Sequence, residues 1–469
     1  MSNFFRNRAK NKNERLKKIK SRATPIKNSE KISRIKKEKI FSDEELKQQL
    51  GNTEVSELFS SLNEEQLEAA TSSSPNTLVI ASAGTGKTST IVARVIHLLE
   101  QGIQPTEIML ITFTSKAAKE MVQRIKKYIQ PEIANEILIG TFHATAIKLL
   151  KKNNLLANIK SPKVLKNIFS LAAHKYNFER YSNDIEHFYS ISTLIQLYAS
   201  FQAKGDGKKF DDWFKDEFPT RENHFDILHH YESIFNLYQE ELEKENILGF
   251  NELLLKATQA KEIKTTFAEI IIDEYQDTSK MQMNYVKAIN HKRLFCVGDY
   301  DQSIYAFNGA DISIIGSFTK TYPNSSVINL KKNYRSQKPI LDLAQKSISI
   351  NERLYPKELQ ITKTDESTPV EVLKFNKQED QYSEIAQRIA DCKRAFTDIA
   401  ILFRTNATAT RMELALSELN IDSIRDDSSS FFEIDEVLYT INLLRLLRGS
   451  DKLALIDILN SLFGFLRYQ

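Results

Sequence analysis

Short, wholly apolar runs alternate along the chain with longer stretches in which apolar residues recur every three to four positions. Thr77–Ala81 (TLVIA), Ile108–Thr112 (IMLIT), Ile137–Gly140, Ile270–Asp273 (IIID) and Leu294–Val297 (LFCV) read as buried strands. Ser89–Gln101 and the stretch running to Ile129 carry helical periodicity. Strand, helix, strand at this spacing predicts an α/β fold, a parallel sheet with helices on both faces, in a first domain over residues 58–320. Within it, residues 150–250 are helical in pattern and rich in aromatics, too long for a loop and therefore a helical insertion. A second α/β unit over 321–450 is expected to open at Val327 (VINL). A helix after Pro339, strands at Val370–Phe375 and Asp398–Phe403, and helices at 408–419 and 433–448 should follow. Residues 1–57 have few aromatics and no glycine before Gly51. They read as a mostly disordered extension, with folded structure beginning near Leu62.

At 469 residues the chain has room for about three domains. A hydrophobic fraction of 41% and a charged fraction of 27% are ordinary for globular protein. The net charge of +4 hides an asymmetry: residues 1–40 hold 15 Lys and Arg against 3 Asp and Glu, the remainder 50 against 58. Such a tail is either an electrostatic arm for phosphate backbones or a solvated leader. No run of 18 apolar residues occurs, so no membrane partner is expected. The segment MSNFFRNRAK lacks the apolar core of a secretory signal. Cys296 and Cys392 offer neither metal spacing nor a disulfide framework, and the cytoplasm is the expected compartment.

Ala81-Ser82-Ala83-Gly84-Thr85-Gly86-Lys87-Thr88 lies between a predicted strand and a predicted helix. Small residues there let backbone N–H groups wrap phosphate oxygens at a helix N-terminus, with Lys87 on the outer phosphates and the Thr88 hydroxyl on Mg²⁺. The pattern GxxxxGK[ST] asks for glycine where Ala81 stands. Ser89 and Arg94, in the following helix, complete the expected nucleotide contacts. A glycine-rich turn needs no ligand, but GKT in this context favours one. About 185 residues later, three isoleucines end in Asp273-Glu274. Asp273 is suited to hold the Mg²⁺ shell and Glu274 to polarise an attacking water. Together the two motifs predict a nucleotide triphosphatase that uses ATP and Mg²⁺.

The segment Asp273-Glu274-Tyr275-Gln276-Asp277-Thr278 resembles the DExQDT motif of the UvrD/Rep/PcrA branch of superfamily 1 helicases. Other segments agree in order between about residues 60 and 450. The resemblance implies RecA-like P-loop NTPase domains and a 3′→5′ DNA helicase acting on single-stranded DNA and single-/double-strand junctions. Asn63-Glu64-Glu65-Gln66 is similar to the family's Q motif, which implies that Gln66 reads adenine. Thr112-Phe113-Thr114-Ser115-Lys116-Ala117-Ala118 resembles TFTNKAA and Thr141-Phe142-His143 resembles TFH, both implied to touch single-stranded DNA. Val297–Tyr305 resembles VGDxDQSIY, which implies a γ-phosphate sensor at Gln302 and base-facing Tyr305 and Phe307. Asn333-Tyr334-Arg335-Ser336 resembles NYRS, with Tyr334 stacking on adenine and Arg335 as arginine finger. Ala400–Asn406 and Glu413 resemble a later block of the second motor domain, and ATP is expected between the two domains. Phe113, Phe142 and Phe307 also read as core aromatics, although positions just after strands favour the rim where open α/β sheets bind ligands. His143 has no His or Cys at ligand spacing and is expected to pack or hydrogen-bond.

Ser115 stands for the family's Asn, and Asn308 for the Arg of its WRGA-like segment, here Phe307-Asn308-Gly309-Ala310. Two later motifs are not found, and residues 451–469 are expected to open a large insertion. The expectation is therefore a helicase cut short, with an incomplete second domain. The alternative is a short form that binds ATP and DNA as a switch or works with a second polypeptide.

Overall fold

The computed structural model describes residues 41–42 and 53–425 apart from 156–157, 160–161, 206, 246, 307–308, 358 and 364–368, together with a few positions between 440 and 447. The chain divides into two compact units, Met1–Pro369 and Val370–Gln469.

The first unit is built on six strands: β1 (Asn76–Ala81), β2 (Ile108–Ile111), β3 (Leu138–Gly140), β4 (Thr266–Ile272), β5 (Asn290–Gly298) and β6 (Ser325–Leu330). They form one sheet in the order β3-β2-β4-β5-β1-β6, and every pairing is parallel. A parallel sheet is covered on both faces, so its strands carry continuous apolar runs, such as LVIA in β1 and IMLI in β2, rather than alternating. Strand β1 shows how the two faces share one run of sequence. Val79 and Ala81 enter a core with Ile91, Val95 and Leu110, while Leu78 and Ile80 enter the opposite core with Leu149, Leu253 and Tyr285. The fold is thus an α/β parallel sheet flanked by helices, and the carboxyl ends of the strands share one edge.

The helical stretch expected between the third and fourth long strands is present. It contains the helices Pro162–Lys175, Phe178–Asp184, Ile191–Lys204, Phe210–Glu217 and Leu228–Lys244. Its aromatics form a core of their own, including Phe169, Phe210, Trp213, Phe214, Tyr231 and Phe235. A two-residue parallel pair, Asn158–Ile159 with Ile247–Leu248, joins its two ends.

Three expectations are corrected here. Ordered structure begins before Leu62: a helix spans Thr53–Ser61 and buries Val55 and Leu58 in the sheet's core. The VINL strand does not open a new sheet; as β6 it pairs with β1, Val327 opposite Leu78. Val370–Phe375 and Asp398–Phe403 form no strand, and Val372 and Leu402 are largely exposed. In the second unit, the helices Gln378–Ala390 and Asn406–Glu418 pack through Tyr382, Ala386, Met412 and Leu416. The basic tail over 1–40, most of the expected 433–448 helix and residues 451–469 lie outside the described residues. Among the described residues no helix is long and apolar enough to cross a membrane, and Cys296 and Cys392 are free thiols.

Candidate active site

The turn after β1 requires glycine twice. Gly84 (φ 78°) and Gly86 (φ 84°) occupy the left-handed region that side chains disfavour. Space requires it too: a Cβ on Gly84 would stand 2.5 Å from Arg335 Cβ, and one on Gly86 would collide with the Gln66 amide. Thr85 closes the turn by donating its hydroxyl to Ser82 O at 2.8 Å. The helix Lys87–Glu100 follows at once, and the unpaired N–H groups of its first turn make an anion-attracting end.

Asp273 extends the β4 ladder, its N–H donating to Ile111 O at 2.9 Å. Glu274 then turns with φ 53°, a strained conformation for a non-glycine residue. Its backbone N–H donates to Asp273 Oδ1 at 3.0 Å. Lys87 Nζ reaches across from the loop to Glu274 Oε1 and Oε2 at 2.9 and 2.7 Å. Burial, and then the neighbouring Glu274 carboxylate, push Asp273 up to about 6 against the opposing pull of Lys87. Asp277 is likewise pushed up to about 6 by burial and Glu274.

The third wall is Asn333-Tyr334-Arg335, just after β6. Tyr334 N–H donates to Gly84 O at 2.9 Å and Asn333 Nδ2 to Ala83 O at 2.6 Å. Asn333 Oδ1 accepts from the backbone N–H groups of Arg335 and Ser336 at 3.0 and 2.8 Å. Gln66 is buried at the start of the Glu64–Ala70 helix. Its Nε2 donates to Thr85 O at 2.8 Å and its Oε1 accepts from Asn63 N at 3.0 Å. One amide hydrogen and one lone pair are left over. Asn63 Nδ2 donates in turn to the Tyr334 hydroxyl at 2.8 Å.

Together these walls enclose a cleft of about 500 Å³ lined by Ala83, Gly84, Gly86, Lys87, Thr88 and Ser89 on one side and Gln66, Glu274, Gln302, Tyr334 and Arg335 on the other. All of these residues lie in the first unit. Ala81, which ends β1, and Ser82 and Thr85 of the loop itself are buried. Thr88 and Asp273 offer hard oxygen donors of the kind Mg²⁺ takes alongside phosphate oxygens. Among the described residues no group of three His, Cys, Asp or Glu side chains gathers into an all-protein metal cage.

Residues 62–323 match the UvrD/REP helicase N-terminal domain, and residues 328–466 match the UvrD-like helicase C-terminal domain. The chain belongs to the UvrD/REP helicase family. It is similar to the ATP-dependent DNA helicase PcrA of Bacillus subtilis, 31% identical over 411 residues that cover 84% of this chain and 54% of that protein. PcrA of Leuconostoc citreum is 29% identical over 415 residues, 85% of this chain and 54% of that protein. PcrA of Staphylococcus aureus strain Mu50 is 29% identical over 424 residues, covering 86% and 56% respectively. The chain spans about half the length of these curated relatives.

Two residues expected at ligand sites serve the core instead. Arg94 is 1% exposed, its Nε and Nη2 donating to Glu269 at 2.7 Å each. Its Nη1 donates to Ala70 O and Ser72 O, so four of the five guanidinium N–H groups are engaged in the core. Besides Arg335, the arginine that lines the cleft is Arg124, with Thr88 and Ser89. Sequence reasoning missed it because its i,i+4 partner Glu120 makes it look like a solvated helix pair. Phe142 is 3% exposed and packs under the sheet with Leu149 and Leu253, so it is a core aromatic and not a rim one.

The other expected DNA contacts divide between scaffold and surface. Thr114 and Thr141 cap helices, accepting from Ala117 N and Ala144 N. Thr112 is buried and donates to Thr114 O, and His143 is half-buried. Phe113, after β2, and Tyr305, after β5, come together as a tilted pair with ring centroids 4.7 Å apart, both half-buried. Phe307 lies outside the described residues.

Proposed function

We propose that this chain is the ATP-driven part of a 3′→5′ DNA helicase and single-strand translocase that works in the cytoplasm. The observation carrying this reading is the single cleft that gathers Lys87, Thr88, Glu274, Gln302, Tyr334 and Arg335. In it, Lys87 neutralises the outer phosphates of ATP and Tyr334 offers a face for the adenine. Glu274 polarises the attacking water, while Arg335 and Gln302 oppose the charge that develops on the γ-phosphoryl group. Thr88 and Asp273 hold Mg²⁺, which when bound neutralises phosphate charge. Phe113 and Tyr305 give bases of single-stranded DNA, including those at single-/double-strand junctions, a sequence-tolerant stacking surface.

The test is ATP hydrolysis with and without single-stranded DNA, on the chain and on Lys87→Ala. DNA-stimulated turnover that vanishes in the variant supports the reading, and undiminished turnover refutes it. A second reading is an ATP-dependent DNA-binding switch, or one subunit acting with a second polypeptide. ATP-dependent DNA affinity without strand displacement would favour it.

A further inference from the structure

Outside every motif described so far lies a buried cation. The Lys357 side chain is 9% exposed, and among the described residues it is the cation paired with Asp299, which is 3% exposed. Its Nζ donates to Asp299 Oδ1 and, at 2.6 Å, to Asp301 Oδ2, and it lies 5.1 Å from the centre of the Tyr300 ring. Nearby, Arg353 Nη1 meets both Asp301 oxygens at 2.7 and 2.8 Å. The Tyr300 hydroxyl donates to Tyr355 O at 2.8 Å. Residues 353–357 are thus stapled to the turn Asp299–Gln302 that follows β5.

That turn carries Gln302 to the cleft. Asp299 Oδ2 accepts from Gln302 Nε2 at 2.5 Å, and Oδ1 accepts from Asp301 N at 3.1 Å. The Asp299 backbone N–H donates to Gln276 Oε1 at 2.8 Å. Gln276 Nε2 then donates to Glu274 Oε2 at 2.9 Å. One buried carboxylate therefore orients Gln302 directly, and its peptide tethers the glutamine that holds Glu274. A buried carboxylate keeps such a position only when its charge is compensated, and Lys357 supplies the compensation.

We propose that Lys357 is a positioning residue for ATP hydrolysis, fixing Asp299 so that Gln302 presents its amide to the cleft. The proposal rests on the reading that this cleft hydrolyses ATP. A merely structural staple would lower stability, nucleotide affinity and turnover together. A positioning residue instead separates turnover from binding.

The test uses the full chain with Lys357→Met, which keeps the length of the side chain without its charge, and Lys357→Arg, which restores the charge. Three readouts are taken: kcat and KM for DNA-stimulated hydrolysis, the Kd of a fluorescent ATP analogue, and hydrogen exchange over residues 299–303. For Lys357→Met a kcat lowered roughly 10²-fold is expected, as misplacement of a catalytic group commonly costs. Its Kd should change by less than about two-fold, and exchange over the turn should be faster. Lys357→Arg should recover most of the kcat. A wild-type kcat in Lys357→Met, or parallel losses of Kd, kcat and melting temperature that arginine does not rescue, overturn the proposal. Should the methionine variant not fold, Lys357→Gln keeps a donor for Asp299 and is read by the same criteria. A wild-type chain that binds ATP without turnover strikes the hydrolysis reading alone, and the exchange arm still decides whether Lys357 holds the turn.

Discussion

Lys87 Nζ lies 2.9 and 2.7 Å from the two carboxylate oxygens of Glu274. On the proposed reading one ammonium group would be shared between two tasks, compensating the acid that would polarise water and meeting the outer phosphates of ATP. Replacing Glu274 by Gln removes the competitor for that ammonium. Turnover should fall by about 10²–10⁴, the usual contribution of a positioned acid or base. ATP affinity should stay equal or tighten. Phosphate release and a nucleotide titration on the same protein check both, and weakened binding would show that Glu274 supports the ligand rather than the reaction.

Arg94→Met should cost stability and spare the cleft. Glu269 is fully buried between Arg94 at 2.7 Å and Arg293 at 3.1 Å. Breaking a buried pair costs about 3–5 kcal/mol, and the remaining Arg293 contact argues for the lower end. Urea unfolding should show that loss, while the folded protein keeps its ATP affinity. A large affinity loss at unchanged stability would restore Arg94 to the nucleotide site.

Two phenylalanines that look alike in sequence should behave oppositely. Phe142→Ala empties a packed position and should destabilise the protein by about 3–5 kcal/mol. Phe113→Ala, at the half-buried pair with Tyr305, should leave unfolding nearly unchanged. It should weaken single-stranded DNA binding by about 1–3 kcal/mol. Fluorescence anisotropy with labelled oligonucleotides, next to denaturant curves, separates the two.

Gly84→Ala forces a left-handed backbone on alanine, at about 1–2 kcal/mol, and pushes its methyl against Arg335 Cβ and the Asn333 amide. Both partners must shift, so hydrolysis should drop well beyond what the stability change explains. Activity that survives intact would mean that Arg335 is not needed where it stands.

The lining of the candidate cleft was legible in the sequence because its parts obey local rules. Glycines at 84 and 86 are demanded by backbone angle, and the TLVIA and III runs, short and bounded by turn residues, fit strands buried on both faces. What was not legible depends on distance through space. Arg94 shares a helix with Lys87, but seven residues of helix are about 10 Å of travel, and its partner Glu269 is 175 positions away. Phe142 follows a strand as rim residues do, yet it is the first residue of a helix and its ring turns into the core. Nothing in VINL says which sheet edge it joins; its pairing with β1 is set by the whole domain. The alternating residues at 370–375 satisfied the strand pattern, but a pattern does not supply a neighbour to bond with.

The Asn333 amide ties Ala83 to the backbone of Arg335, while the peptide between them is bonded to Gly84. The backbone that carries Arg335 is thus fastened to the loop that carries the lysine it would assist. While those bonds hold, its anchor has no journey to make, and only the guanidinium at the end of the side chain is left to swing. A clock for successive turnovers would then lie in that swing, or in parts beyond the loop, rather than in the approach of the arginine's own backbone.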